Sequence, residues 1–150
     1  MVPVMTVDKF ERFFRAAAGL DVDKKDLKRY SDFVDHKIYD LLLRGKAAAK
    51  ENGRDIIQPS DLPITKGLQE SMHAFRKLDE DIEPKSILEY IAALPPLDVT
   101  YRDDTEALLP GVVGGLSVAL ARTFTIIDPR VKNPSTRHWE RAFQIFDQLL

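Results

Sequence analysis

The side chains best placed to do chemistry in this sequence are two groups of bases, and the chemistry open to them is phosphate binding. Lys24, Lys25, Lys28 and Arg29 stand at the start of one long helical stretch, while Arg44, Lys46, Lys50 and Arg54 stand toward its far end. From Lys24 through Arg54 there are 9 basic and 5 acidic residues, an excess of 4. Affinity for nucleic acid comes from neutralising phosphates and releasing counterions. The whole chain holds 22 basic and 24 acidic residues, a net charge of −2, so any such binding must use a local patch. This balance argues against a bulk DNA-coating role. The opposing reading is a solvated helix surface, its field blunted by Asp21, Asp23, Asp26 and Asp55.

Other chemistries are poorly served. Asp32 and His36, four apart on a helix, make a two-ligand metal fragment without a third ligand. Asp21-Val22-Asp23 opens like a calcium loop, but Asp26 occupies the place of the required turn glycine. Gly111, Gly114 and Gly115 do not spell a phosphate-cradling loop, and the simpler expectation is that Gly111, Gly115 and Ala119 let two long helices cross closely. His138-Trp139-Glu140 lacks the second histidine of a zinc-protease helix, and Trp139 reads as a core residue with its indole N–H at the edge. With no cysteine, disulfides and thiolate sites are excluded. No Ser/His/Asp or carboxylate constellation stands out. The expectation is a non-enzymatic protein with no metal, no cofactor and no small-molecule substrate.

The elements that would carry these residues are all helical. A chain of 150 residues fits one domain, and a domain of that size buries roughly 70% of its unfolded surface without staples. Val7, Phe10, Phe13, Phe14, Ala17 and Ala18 recur at helical spacing between a Thr6 cap and a Gly19 stop. A long helix from Lys25 to Asn52 follows, its apolar stripe broad enough to meet more than one neighbour. After the loop 54–59, Ser60-Asp61 is expected to cap a third helix with Pro63 in its first turn and Leu62, Thr65, Leu68, Met72 and Phe75 inward.

The second half, 81–150, repeats the order of the first, 1–80, in a more worn form. Pro84 opens a short helix with Ile87, Ile91 and Leu94, and Pro95-Pro96 ends it. Leu97 to Arg102 forms an extended strap, and a long apolar helix runs from about Asp104 to Ile127 with a kink expected at Pro110. Ser135 or Thr136 caps the last helix. No stretch reaches the ~20 apolar residues of a membrane span, and Met1 to Met5 lacks the basic region of a signal peptide. The chain therefore reads as a cytoplasmic protein.

Short-long-short helices joined by straps resemble the histone fold. Asn52-Gly53-Arg54-Asp55-Ile56-Ile57-Gln58-Pro59-Ser60-Asp61-Leu62 is similar to the matching stretch of archaeal and eukaryotic histones. More closely, the chain resembles a small bacterial family of uncharacterised proteins with two histone folds in one polypeptide. That likeness is carried by Ala17-Ala18-Gly19-Leu20-Asp21-Val22-Asp23-Lys24, Asn52-Gly53-Arg54-Asp55, Asp61-Leu62-Pro63-Ile64, Lys66-Gly67-Leu68-Gln69-Glu70 and Ala93-Leu94-Pro95-Pro96-Leu97-Asp98. It covers nearly the whole chain.

The resemblance implies an all-α, duplicated histone fold whose halves clasp each other as an intramolecular pseudo-dimer. It implies a clamp between Arg54 and Asp61, seven residues apart, with Asp61 near the positive end of the third helix. It also places Lys24, Lys25, Arg54, Arg102, Arg130 and Lys132 near DNA phosphates, joined by Lys28 and Arg29 on the first turns of the long helix. In the second half the loop 130–135 is one residue shorter and Thr136 stands where Asp61 would, so a second clamp is not expected. Two functions stay open. One is an architectural protein on double-stranded DNA, associated with the nucleoid; the other is an assembly module that pairs with itself or another protein.

Overall fold

The computed structural model describes residues 5–78 and 100–150, and they are mostly helical. Helix α1 spans Val7–Ala18, α2 Lys24–Glu51 and α3 Lys66–Leu78; α4 spans Asp103–Ile127 and α5 Thr136–Leu149. Two short strands, β1 (Ile56–Ile57) and β2 (Thr100–Tyr101), pair in parallel, and a single 3-10 turn at Pro59–Asp61 follows β1. The short helix anticipated from Pro84, its Pro95-Pro96 stop and strap residues 97–99 lie outside the described residues.

Local chemistry sets most boundaries. Thr6 Oγ1 accepts the Lys9 N–H at 3.3 Å, and Gly19 ends α1 at φ 65°, where a side chain would be strained. Asp23 and Asp26 form a reciprocal capping box at the start of α2. Gly53, at φ 70°, lets the chain turn away at the other end. With 28 residues, α2 is roughly 40 Å long at the standard helical rise.

One core joins both halves. Phe14 of α1 is its hub, with ring centroids 5.6 Å from Tyr30 on α2, 6.4 Å from Phe124 on α4 and 6.2 Å from Trp139 on α5. Between the long helices the Tyr30 hydroxyl lies 2.6 Å from Ser117 Oγ, which donates to the Val113 carbonyl at 2.7 Å.

The third helix starts later than expected. Thr65 Oγ1 accepts the Leu68 N–H at 3.2 Å, so the cap is Thr65, and Pro63 belongs to the extended link before it. A threonine three residues before a free N–H outcompetes the Ser60-Asp61 pair, which is spent on the 3-10 turn. The glycines of α4 also have a different neighbour from the one anticipated. A Cβ on Gly114 would overlap the Phe75 ring, and one on Gly115 would overlap Met72, so the small residues seat α3 rather than α2.

Helix α4 continues through Pro110, which removes the N–H that the Glu106 carbonyl would otherwise accept. By length and composition α4 is apolar enough to cross a bilayer, contrary to expectation, yet most of it is buried inside the protein. A helix apolar on all sides is what a central core position requires.

Candidate functional site

The loops collect at the two ends of α2. At its N-terminal end, the Asp21 N–H donates to the Lys132 carbonyl at 2.6 Å, which lays the α1–α2 loop beside the α4–α5 loop. At its C-terminal end, the Thr100 N–H donates to the Asp55 carbonyl at 3.3 Å and the Arg102 N–H to the Ile57 carbonyl at 3.1 Å. Thr105, fully buried, adds a bond from its hydroxyl to the Ile57 carbonyl at 2.8 Å. The eight candidate phosphate ligands therefore split into a loop edge, with Lys24, Lys25, Lys28, Arg29, Arg130 and Lys132, and a strap edge, with Arg54 and Arg102.

Arg54 and Asp61 form the anticipated clamp. The guanidinium donates from Nη1 to Oδ2 at 2.6 Å and from Nη2 to Oδ1 at 2.7 Å, and Nη1 also reaches the Ile56 carbonyl at 3.1 Å. Hydrogen bonding from Arg54, helped by the Gln58 N–H at 2.8 Å, holds the Asp61 carboxyl down at about 2. Because α3 begins at Lys66, Asp61 serves the 3-10 turn and not the α3 N-terminus as expected. The strap it braces presses on Gly45 of α2, where a Cβ would come within 3.1 Å of Ile57 and Leu62.

Several candidate ligands are engaged within the fold. Arg102 pairs with Asp104 at 2.8 Å and Lys28 with Asp32 at 2.9 Å. Arg29 sits 3.8 Å from Asp26, reaches Thr136 Oγ1 at 3.4 Å and lies 5.8 Å from the Trp139 ring centroid. It ties α2 to α5, as a stacked arginine does well. Lys24, Lys25, Arg130 and Lys132 are exposed, and their side chains make no hydrogen bond or ion pair with the described residues. The carboxylates among them cap the backbone: Asp23 takes the Lys25 N–H at 2.9 Å, and Asp128 takes the Arg130 N–H at 3.1 Å.

Three features were not read from the sequence. Ser135 Oγ lies 2.8 Å from His138 Nδ1, and His138 Nε2 lies 3.2 Å from Asp128 Oδ2. The Ser135 N–H donates to the same Nδ1 at 2.9 Å, so Nδ1 accepts and Nε2 carries the hydrogen toward Asp128. That lone pair is thus committed to capping α5, at an exposed loop. The signal was a Ser-x-x-His spacing at a helix start, with a loop path to Asp128 that spacing alone does not give.

Asp35 of α2 is buried with neither carboxylate oxygen partnered among the described residues. Burial first, and Asp32 second, push it up to about 7. Lys37, also buried, holds Asp147 of α5 at 2.5 Å. Trp139 is core as expected, but its indole N–H is buried and unpartnered among the described residues instead of lying at the edge.

His36 Nδ1 is bonded to the Asp32 carbonyl at 2.8 Å, and among the described residues no three His, Asp or Glu side chains converge as a metal site would need.

A family model described as "Domain of unknown function (DUF1931)" matches residues 10–147. Two uncharacterized proteins of Aquifex aeolicus (strain VF5) are each 30% identical to the chain. One is matched over 95% of this chain and 82% of its own length, the other over 73% of each. A crystal structure from Thermus thermophilus superposes with a TM-score of 0.93 at 54% identity, over 98% of this chain and 99% of that one. Protein AQ328 from Aquifex aeolicus, a 1.9 Å crystal structure, gives 0.80 at 29% identity, over 95% and 94%.

Proposed function

We propose, from the premise that the chain belongs to the DUF1931 family, that it is a non-enzymatic, cytoplasmic histone-fold pseudo-dimer that holds DNA phosphates on its loop edge. The observation that carries the reading is the cross-strapping of the two halves. The strap after α2 pairs in parallel with the strap before α4, and the loop before α2 bonds to the loop after α4. Each end of the long helix is thereby fastened to the other half, as mutual embrace requires and a simple up-and-down bundle does not.

The phosphate ligands in this reading are Lys24, Lys25, Arg130 and Lys132, the candidates whose side chains make no hydrogen bond or ion pair with the described residues. Helices α2 and α5 both begin at that edge, so their positive dipole ends add to the attraction. Arg54, Arg102, Lys28 and Arg29 drop out as primary ligands because carboxylates or Trp139 already hold them.

A titration of fluorescent duplex at low salt tests the proposal. Wild type should bind and lose affinity steeply with added salt, and Lys24→Glu/Lys25→Glu/Lys132→Glu should bind at least tenfold more weakly. Absence of any retention by wild type ends the reading.

One observation favours the second function. Ile126 and Leu149 are 78% and 73% exposed, and Ile145 and Leu149 rim an apolar recess of about 380 Å³ with Leu68, Ala119 and Phe146. An assembly module would cover such a face, and self-association by sedimentation would favour that reading.

A further inference from the structure

We infer that the protein grips a duplex by its loop edge alone, and that the strap edge repels the phosphate backbone. The inference rests on the DNA reading and specifies how the duplex lies.

The two edges carry opposite local charge. On the strap edge, Lys46, Lys50, Arg54 and Arg102 stand with Glu51, Asp55, Asp61, Asp103, Asp104 and Glu106, four bases with six acids. The two arginines are spent: Arg54 gives its fork to Asp61 at 2.6 and 2.7 Å, and Arg102 reaches Asp104 at 2.8 Å. Asp55, Asp103 and Glu106 are exposed. The positive end of α4, which would otherwise attract a phosphate, is answered by Asp103, Asp104 and Glu106 in its own first turn. The loop edge has six bases, Lys24, Lys25, Lys28, Arg29, Arg130 and Lys132, against five acids, Asp21, Asp23, Asp26, Asp32 and Asp128.

The edges act independently. They lie roughly 40 Å apart along α2, while charges are screened beyond about 10 Å at 0.1 M salt. A duplex therefore meets the loop edge as a basic surface whatever the net charge of the chain. Laid along the whole molecule, it would bring its backbone against unneutralised carboxylates at the other end. The bound duplex instead leaves the protein after the loop edge, and it is not wrapped across the two straps.

The test uses the full chain and a fluorescein-labelled mixed-sequence duplex of about 30 base pairs, long enough to reach both edges at ~3.4 Å per pair. Four cations on one edge predict a log–log salt slope near −4 for wild type. Lys132→Glu should weaken binding by about tenfold, whereas Arg102→Glu should change it less than about twofold. Asp55→Lys/Asp103→Lys, both exposed, should tighten binding severalfold and steepen the slope by supplying the missing second contact. Circular dichroism checks that each variant is folded.

If Arg102→Glu weakens binding as much as Lys132→Glu, or Asp55→Lys/Asp103→Lys leaves affinity and slope unchanged, the one-edged grip is wrong while DNA binding stands. If wild type binds no duplex, the DNA reading falls and this inference falls with it.

Discussion

The Tyr30 hydroxyl and Ser117 Oγ meet 2.6 Å apart between the two long helices, and both residues are buried. The contact spans 87 residues of sequence and joins the halves through a polar bond inside an apolar core. Burial raises the phenol far above its ordinary range, so it stays a donor at any accessible pH.

Ser117→Ala leaves the Tyr30 hydroxyl without its partner and should cost about 1–3 kcal/mol, more than Tyr30→Phe, which removes the stranded group instead. The double variant should resemble Tyr30→Phe alone, so the coupling in a double-mutant cycle by urea unfolding should match the cost of Ser117→Ala, about 1–3 kcal/mol. Strict additivity would mean the two groups do not interact.

The Arg54–Asp61 clamp predicts a loss on the acid side. Asp61 sits near 2 when folded against an ordinary 3.8, so its contribution is complete above about pH 4 and disappears as pH falls toward 2. Asp61→Asn should lower stability at pH 7 by roughly 2–3 kcal/mol and flatten the curve below pH 4. Arg54→Lys should recover little, because a lysine cannot supply the two-pronged bond. An unchanged acid limb in Asp61→Asn would assign that limb to other carboxylates.

How legible these features were depends only in part on how local they are. The Arg54–Asp61 pair was anticipated through the resemblance to histones, and the structure bears it out within one short strap, whereas the Asp23–Asp26 capping box, equally local, was not read. The start of α3 was misplaced because Ser60-Asp61 and Thr65 offer rival caps, and the choice depends on how the strap lies on Gly45. The loop-edge cations were identifiable by charge, but their division into free and occupied was not. Arg29 is spent on Trp139 and Thr136, more than a hundred residues away. Asp35 was invisible for a similar reason: nothing in its neighbours along α2 says that both its oxygens are sealed from water.

The glycines of α4 predict a steric cost. A methyl on Gly114 overlaps the Phe75 ring, and one on Gly115 overlaps Met72 and comes within 3.0 Å of its backbone nitrogen. Gly115→Ala should be the worse of the two, by about 1–3 kcal/mol, since backbone cannot turn aside. Gly114→Ala should be partly rescued by Phe75→Leu, which removes the obstructing ring. Thermal melts of the four variants decide it. Failure of Phe75→Leu to relieve Gly114→Ala would place α3 elsewhere.

Asp35 predicts a pH dependence of the opposite sign to Asp61. Its folded value near 7 lies above the 3.8 it has when exposed, so the folded state holds a proton that the unfolded state has released. Stability from this group is therefore complete below about pH 4 and declines as pH rises toward 7, with no further change beyond. Asp35→Asn cannot ionise and should remove that decline, so it should be more stable than wild type at pH 8 and about equal to it near pH 4. Denaturant midpoints at those two pH values test the assignment. A variant that loses stability equally at both would show that the carboxylate has a partner and is not sealed in alone.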